Sequence, residues 1–231
     1  MKEILRNLDW TVLTDIFMNV IPALICITVH ELCHGFAAWK LGVPTAKRAG
    51  RLTLNPLKHI DVMGLVMMAV FRFGWAKPVP VNMRYFKNPK RGMALTAFAG
   101  PLSNVVIACL FFFLYGLLFP FLTGKSVGEY LLQMAYMTGY LSVSLAVFNL
   151  LPIPPLDGAK VAFSLVSDRA YERLMRIERY GMMILAIIMV TGILSGPMRT
   201  AAEFCVDKLF VFARLGFRLA AGILPMGGNT P

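Results

Sequence analysis

Charge is what this sequence has least of. Only 15% of its 231 residues are Asp, Glu, Lys or Arg, against about 25% in a soluble domain. With 58% hydrophobic residues, too few polar side chains remain to cover a water-facing surface. That excludes an ordinary soluble domain and makes a lipid bilayer the solvent for much of the chain. Acidic residues are scarcer still, 12 against 23 basic ones, giving a formal charge of +11. Such a charge raises nucleic acid as a partner. The basic residues, however, fall in the connections between apolar runs and not along one amphipathic face, so no nucleic-acid binding is expected. Cysteine is sparse: Cys26, Cys33, Cys109 and Cys205 contain no CxxC pair and lie mostly in apolar stretches, so no disulfide framework is expected. A removable leader is not expected either, because Glu3 and Asp9 interrupt the amino terminus and no small-residue cleavage site follows the first apolar run.

Long apolar runs are what the sequence has in place of charge. The first, about residues 16–39, is long enough at about 1.5 Å per residue to cross a hydrocarbon core of about 30 Å. The second, about residues 62–75, is too short to span as a helix. Gly64 and Gly74 bracket it and Trp75-Ala-Lys-Pro-Val-Pro-Val follows, which predicts a re-entrant loop or short β-hairpin dipping into the membrane. The prolines and β-branched residues of the 71–81 region suggest an edge against which an extended substrate segment pairs. Runs at about 93–122 and 130–151 come next, separated by the polar turn Thr123-Gly-Lys-Ser. Asn149-Leu-Leu-Pro-Ile-Pro-Pro-Leu-Asp-Gly then breaks the helical pattern, since its prolines lack the backbone donors a helix needs. A short apolar segment (159–166) and a charged connection lead to another expected span at about 180–197. Residues 200–224 mix Phe and Leu with Glu203, Asp207, Lys208, Arg214 and Arg218, which favours an amphipathic interfacial helix over a final span. The expected fold is an all-α polytopic membrane protein with about four to six transmembrane helices. It forms one integral-membrane domain over residues 1–231, with a catalytic core at about 16–168 and a C-terminal span and amphipathic helix at about 180–224.

Orientation follows from where Lys and Arg fall. Eleven of the 23 lie between Lys40 and Arg91, and one lies in the Thr123 turn. If the 62–75 stretch does not span, rich and poor connections alternate, and the rich ones belong on the cytoplasmic side. The amino terminus is then outside.

Within the first apolar run stands His30-Glu31-Leu-Cys-His34. Ionisable groups are expensive at membrane depth and mark a functional site. Residues four apart on a helix are separated by about 400° and about 6 Å along the axis, so both imidazoles project from one face. Such a pair grips one zinc ion, while Glu31, about 100° around, reaches a water that zinc has acidified toward a pKa of about 7. A catalytic zinc takes three protein ligands and keeps one position open. Asp157, beside Gly158 and just after the proline-broken stretch, is the favoured third ligand. His59, in the basic Asn55-Pro-Leu-Lys connection, is the competitor, and otherwise a hydrogen-bonded loop residue. Cys26 and Cys33 share the histidine face, but Cys26 and His34 are about 12 Å apart along the axis, too far for one metal.

Three separated motifs, Val29-His-Glu-Leu-Cys-His-Gly, Ala99-Gly-Pro-Leu-Ser-Asn104 and Asn149-Leu-Leu-Pro-Ile-Pro-Pro-Leu-Asp-Gly158, resemble those of the site-2-protease family of intramembrane metalloproteases. The Asn55-Pro-Leu-Lys-His-Ile-Asp61 segment is similar to one in many bacterial-type members. The resemblance implies one Zn2+ per chain, held by His30, His34 and Asp157, with Glu31 as general base. It implies that Asn104 and Asn149 lie near the site and position substrate backbone or support the oxyanion, and that Gly100-Pro101 loosens its helix for close approach. The implied reaction is peptide-bond hydrolysis in or near transmembrane segments of membrane-protein substrates. The expected location is the plasma (inner) membrane, with the site toward the cytoplasmic half. Relatives often carry a PDZ or CBS domain, and a compact form without either is expected. Two other classes compete on the residues alone: an ion-coupled transporter, whose broken helices also bind ions at mid-membrane, and a silent membrane scaffold, which has no use for Glu31.

Overall fold

The computed structural model describes residues 10–71 and 74–223; Glu3 and Asp9, on which the leader reading rests, lie outside them, as do positions 72 and 73 of the expected re-entrant segment. Among the described residues the regular structure is helical, apart from one antiparallel bridge pair, Ile60 with Ala76.

The first helix, α1 (Trp10–Lys40), has no glycine before Gly35 and ends where Gly42, at φ 93°, takes the left-handed conformation that lets Val43 N–H donate to Ala38 O at 2.9 Å. A short α2 (Thr45–Arg48) follows. The apolar 62–75 stretch forms α3 (Val62–Phe71), capped by the Asp61 carboxylate on Gly64 N–H at 2.9 Å. Ten residues make about 15 Å, half a bilayer core. The Trp75–Val81 segment then runs without helical structure. Asn88 caps α4 (Pro89–Leu122), with Pro89 in the first turn where its missing N–H is harmless. A turn through Gly124 (φ 79°) reverses the chain into α5 (Ser126–Asn149). The proline-broken stretch ends at α6 (Asp157–Phe163), and α7 (Asp168–Ile177), α8 (Gly181–Thr191), α9 (Ser195–Leu209) and α10 (Val211–Ile223) complete the described chain.

Among the described residues, three helices are long and apolar enough to cross a membrane: α1 from Ile16, α4 and α5. A fourth crossing exists only if Asp168–Thr191 and Ser195–Ile223, bent by 90° at their junction, count as one broken span. Three is one short of the expected four to six, and four meets its lower edge. The run expected to span as one helix at 180–197 stops at Gly192, whose φ of 66° ends α8 after eleven residues.

The bundle is α1 against α4 and α5, with α9 on α5 and α10 along α4. Phe112 is fully buried at its centre, and Gly139 is small enough to admit the ring, since a Cβ there would stand 2.8 Å from Phe112 Cε1. Tyr115, Tyr136 and Phe210 surround Phe112 with ring centroids 5.8–6.5 Å apart, in the edge and tilted arrangements aromatic rings prefer. The C-terminal region, expected as an amphipathic interfacial helix, forms α9 and α10. Its amphipathic pattern is real, but the buried stripe of α10 is Ala213, Gly216 and Ala220, and it meets a helix. Gly116 of α4 lies on the backbone of Ala213 and Gly216 lies on that of Phe113, so neither position has room for a side chain. Small residues that let backbones touch are how helices associate where lipid offers no hydrophobic drive.

Candidate metal centre

Helix α1 presents His30 and His34 on one face, 7% and 8% exposed, and α6 begins with Asp157, 8% exposed. Asp157 is set in place by Gly158: a Cβ there would collide with the carbonyls of Leu150 and Leu151, so only glycine lets the start of α6 lie against the end of α5. The three side chains converge. His30 Nε2 is 3.1 Å from Asp157 Oδ2, His34 Nε2 is 3.0 Å from the same oxygen, and the two Nε2 atoms are 3.0 Å apart. His59 is elsewhere, 1% exposed, with Nε2 against Thr53 O at 2.9 Å. The cysteines are all free; Cys26 is fully buried, with Sγ against Thr138 O at 3.5 Å.

The triangle fits a metal better than it fits hydrogen bonds. Tetrahedral bonds of about 2.0 Å place ligand atoms about 3.3 Å apart, and the observed edges are 3.0 to 3.1 Å. His34 Nδ1 faces Thr96 O at 2.7 Å, so Nδ1 carries the proton and Nε2 is left with a lone pair. With neutral rings, the lone pair of His34 and the carboxylate confront each other, and His30 has at most one proton for its two edges. A cation at the centre satisfies all three acceptors together. His30, His34 and Asp157 are the one such group of His, Cys, Asp or Glu side chains among the described residues.

Helix α4 forms the wall opposite α1, and it does so with residues four apart. Thr96 supplies the carbonyl to His34, Gly100 lies against both rings, and Asn104, fully buried, reaches His30 Nδ1 through its Nδ2 at 3.2 Å. A Cβ on Gly100 would stand 2.7 Å from His30 Cε1 and closer still to His34. The helix runs on through Pro101, and the missing side chain of Gly100 is what admits the two rings. Glu31 is half-buried, and its Oε2 accepts from Val79 N–H at 3.2 Å. Asn149 is not drawn into this cluster by its hydrogen bond, which runs from Nδ2 to Leu145 O of its own helix at 3.0 Å. Two contacts were not anticipated: the Val79 amide on Glu31, and Lys160, whose Nζ lies 3.7 Å from Asp157 Oδ1. Lys160 was open to discovery, because three residues after Asp157 on a helix is the same face. Val79 carried no signal, since a backbone amide has none.

With this geometry in place, comparison with known proteins becomes specific. The family model for peptidase family M50 matches residues 117–192, which include the Asn149–Gly158 motif. The chain is 40% identical over 198 residues to "Putative zinc metalloprotease YwhC" of Bacillus subtilis, covering 83% of this chain and 90% of that protein. The chain belongs to peptidase family M50. It is also 30% identical to "Putative zinc metalloprotease Rip2" of Mycolicibacterium smegmatis, over 78% of this chain and 70% of that protein. A third relative, "Putative zinc metalloprotease MJ0611" of Methanocaldococcus jannaschii, is 32% identical over 57% of this chain and 62% of its own length. No solved structure matches. Family membership bears out the expected enzyme class, and together with the apolar helices it makes this an integral membrane protein.

Proposed function

We propose that this M50 peptidase is an intramembrane zinc metalloendopeptidase, cleaving peptide bonds in or near transmembrane segments of membrane-protein substrates. In this reading His30, His34 and Asp157 hold one Zn2+ and Glu31 is the general base. The observation that carries it is the buried triangle of acceptor atoms, two from one apolar helix and one 123 residues beyond the second histidine, with a carboxylate next to it on α1. Bound there, zinc supplies Lewis acidity and lowers the pKa of the attacking water. Glu31 takes the proton from that water and returns it to the leaving amine. Its carboxylate is held for this by the Val79 amide. Asn149, at the end of α5, keeps one amide N–H and its carbonyl oxygen for a substrate backbone or the oxyanion, beyond the bond to Leu145.

The site lies at membrane depth. His30 is ten residues, about 15 Å, from Lys40 at the end of α1. The concentration of Lys and Arg after Lys40 supports a cytoplasmic location for that end, and a plasma (inner) membrane protein with its site in the cytoplasmic half. Residues 1–231 then act as one integral-membrane domain. Extended pairing of substrate along Trp75–Val81 is restricted by Pro78 and Pro80, which offer no N–H, and the Pro80 carbonyl already accepts from Thr45 Oγ1, so at these positions it rests on the Pro78 carbonyl.

Zinc content and cleavage of a transmembrane test peptide, measured together, test the reading. Wild type should bind one zinc and cleave. Glu31→Gln should keep the zinc and lose cleavage by a factor of about 100 or more, and Asp157→Asn should lose both. Normal cleavage by Glu31→Gln would refute the mechanism.

A further inference from the structure

Asn104 is fully buried between α4 and α1, and among the described residues its side chain's hydrogen-bond partner is the Nδ1 of His30. As placed, Nδ2 faces Nδ1, and Oδ1 is buried with no partner among the described residues. That arrangement requires a lone pair on Nδ1 and therefore a proton on Nε2, the atom that points at Asp157 and His34. A protonated Nε2 cannot be a ligand. The oxygen and nitrogen of an amide are assigned by their hydrogen bonds and not distinguished by shape. Turning this amide by 180° keeps the contact with Nδ1 and moves Nδ2 to the buried place where Oδ1 now has no partner, a cost that ligation by Nε2 must outweigh. It places Oδ1 where it accepts from Nδ1–H, and it frees the Nε2 lone pair for the triangle. His34 has the same arrangement already, with Thr96 O as the acceptor on its Nδ1.

Resting on the zinc-site reading above, we infer that Asn104 is the positioning residue of His30: its amide oxygen accepts from Nδ1–H and holds the ring in the tautomer that ligates. Helix α4 thus orients both histidines, His34 through the Thr96 carbonyl and His30 through the Asn104 side chain, two helical turns further along. The Asn104 backbone is itself pinned, with its carbonyl accepting from Ser142 Oγ of α5 at 2.8 Å. This gives Asn104 a task different from contact with substrate.

Two substitutions of nearly equal size separate the possibilities. Asn104→Asp keeps an acceptor toward Nδ1 and has no N–H to donate, whereas Asn104→Leu offers neither. Zinc affinity is measured by chelator competition on the purified full-length protein in detergent micelles, with the melting temperature of the metal-free protein as a control for folding. Asn104→Leu should bind zinc about 10–100-fold more weakly, and Asn104→Asp should stay within about threefold of wild type. Equal weakening in both variants overturns the proposal, because it means that the N–H of Asn104 was needed. Wild-type zinc affinity in Asn104→Leu, with cleavage lost, also overturns it and returns Asn104 to substrate binding. If wild type itself binds no zinc, the failure is that of the metal-site reading, so the two are distinguishable.

Discussion

At the scale of single residues, the site depends on an atom that is missing. Gly100 has no Cβ, and one placed there would stand 2.7 Å from His30 Cε1 and nearer to two atoms of His34. Replacing glycine by alanine inside a helix normally improves helix propensity by about 1 kcal/mol, while overpacking costs about 1–3 kcal/mol. Stability should therefore change little. The cost falls on the rings, which must spread apart or push α4 away from α1. Gly100→Ala should lower zinc affinity by about tenfold or more while moving the melting temperature of the metal-free protein by only a few degrees, and unchanged affinity would show that the rings do not need this contact. How much of this was legible in the sequence depends on distance along the chain. His30 and His34 are four apart, and helical geometry alone puts them together. Asp157 is 127 residues from His30, and residue chemistry left His59 in contention until folding brought Asp157 between the two imidazoles. Asn104 stood out by its motif, but its partner did not, because a sequence does not say which ring a buried amide will meet.

Among the elements, the Trp75–Val81 segment makes contacts that its sequence did not announce. Lys77 N–H donates to His59 O at 2.9 Å and Val79 N–H to Glu31, so the odd-numbered amides point inward. Gly35, one helical turn beyond Glu31, gives the Val79 side chain room against α1, and Thr45 Oγ1 ties Pro80 O at 2.7 Å. In the proposed mechanism the segment therefore holds Glu31 first. Because Val79 precedes Pro80, it is already confined to extended conformations, and proline is tolerated there. Val79→Pro should remove the N–H on Glu31 together with the Val79 side-chain contact at Gly35. A hydrogen bond to a charged group contributes about 1.5–3 kcal/mol, so kcat should fall roughly 10–100-fold with zinc content unchanged. A fall confined to kcat/KM through a raised KM would point to substrate pairing, and a rise in kcat would show that the segment obstructs the base. Helix α10 makes a similar point about legibility. Its amphipathic pattern was visible, but a stripe of Ala213, Gly216 and Ala220 serves a partner helix, and only the fold reveals Gly116 opposite it.

For the whole molecule, charge and the site constrain each other. The stretch from Lys40 to Arg91 holds eleven of the 23 basic residues and the Thr123–Lys125 turn holds one. Helices α1 and α4 carry the chain between these two ends, and the metal group lies between them, within a helix turn or two of the middle of α1. If the basic end is cytoplasmic, a substrate segment reaches Glu31 from that half of the membrane, on the side where Trp75–Val81 covers α1. Exposed positions at each end make this testable. In a cysteine-free background, Lys58→Cys and Ser126→Cys are both exposed replacements far from the metal group in sequence. A membrane-impermeant maleimide should label Ser126→Cys in intact cells and Lys58→Cys only after the membrane is opened. The opposite pattern would invert the protein and place the site nearer the outer face. Labelling of both in intact cells would mean that α4 does not cross, which contradicts its 34 residues. The same assay decides what Ser195–Ile223 does. A cysteine at the exposed Ile223, the far end of the bent pair, should share the side of Ser126 if the pair completes a fourth crossing, and the side of Lys58 if it turns back.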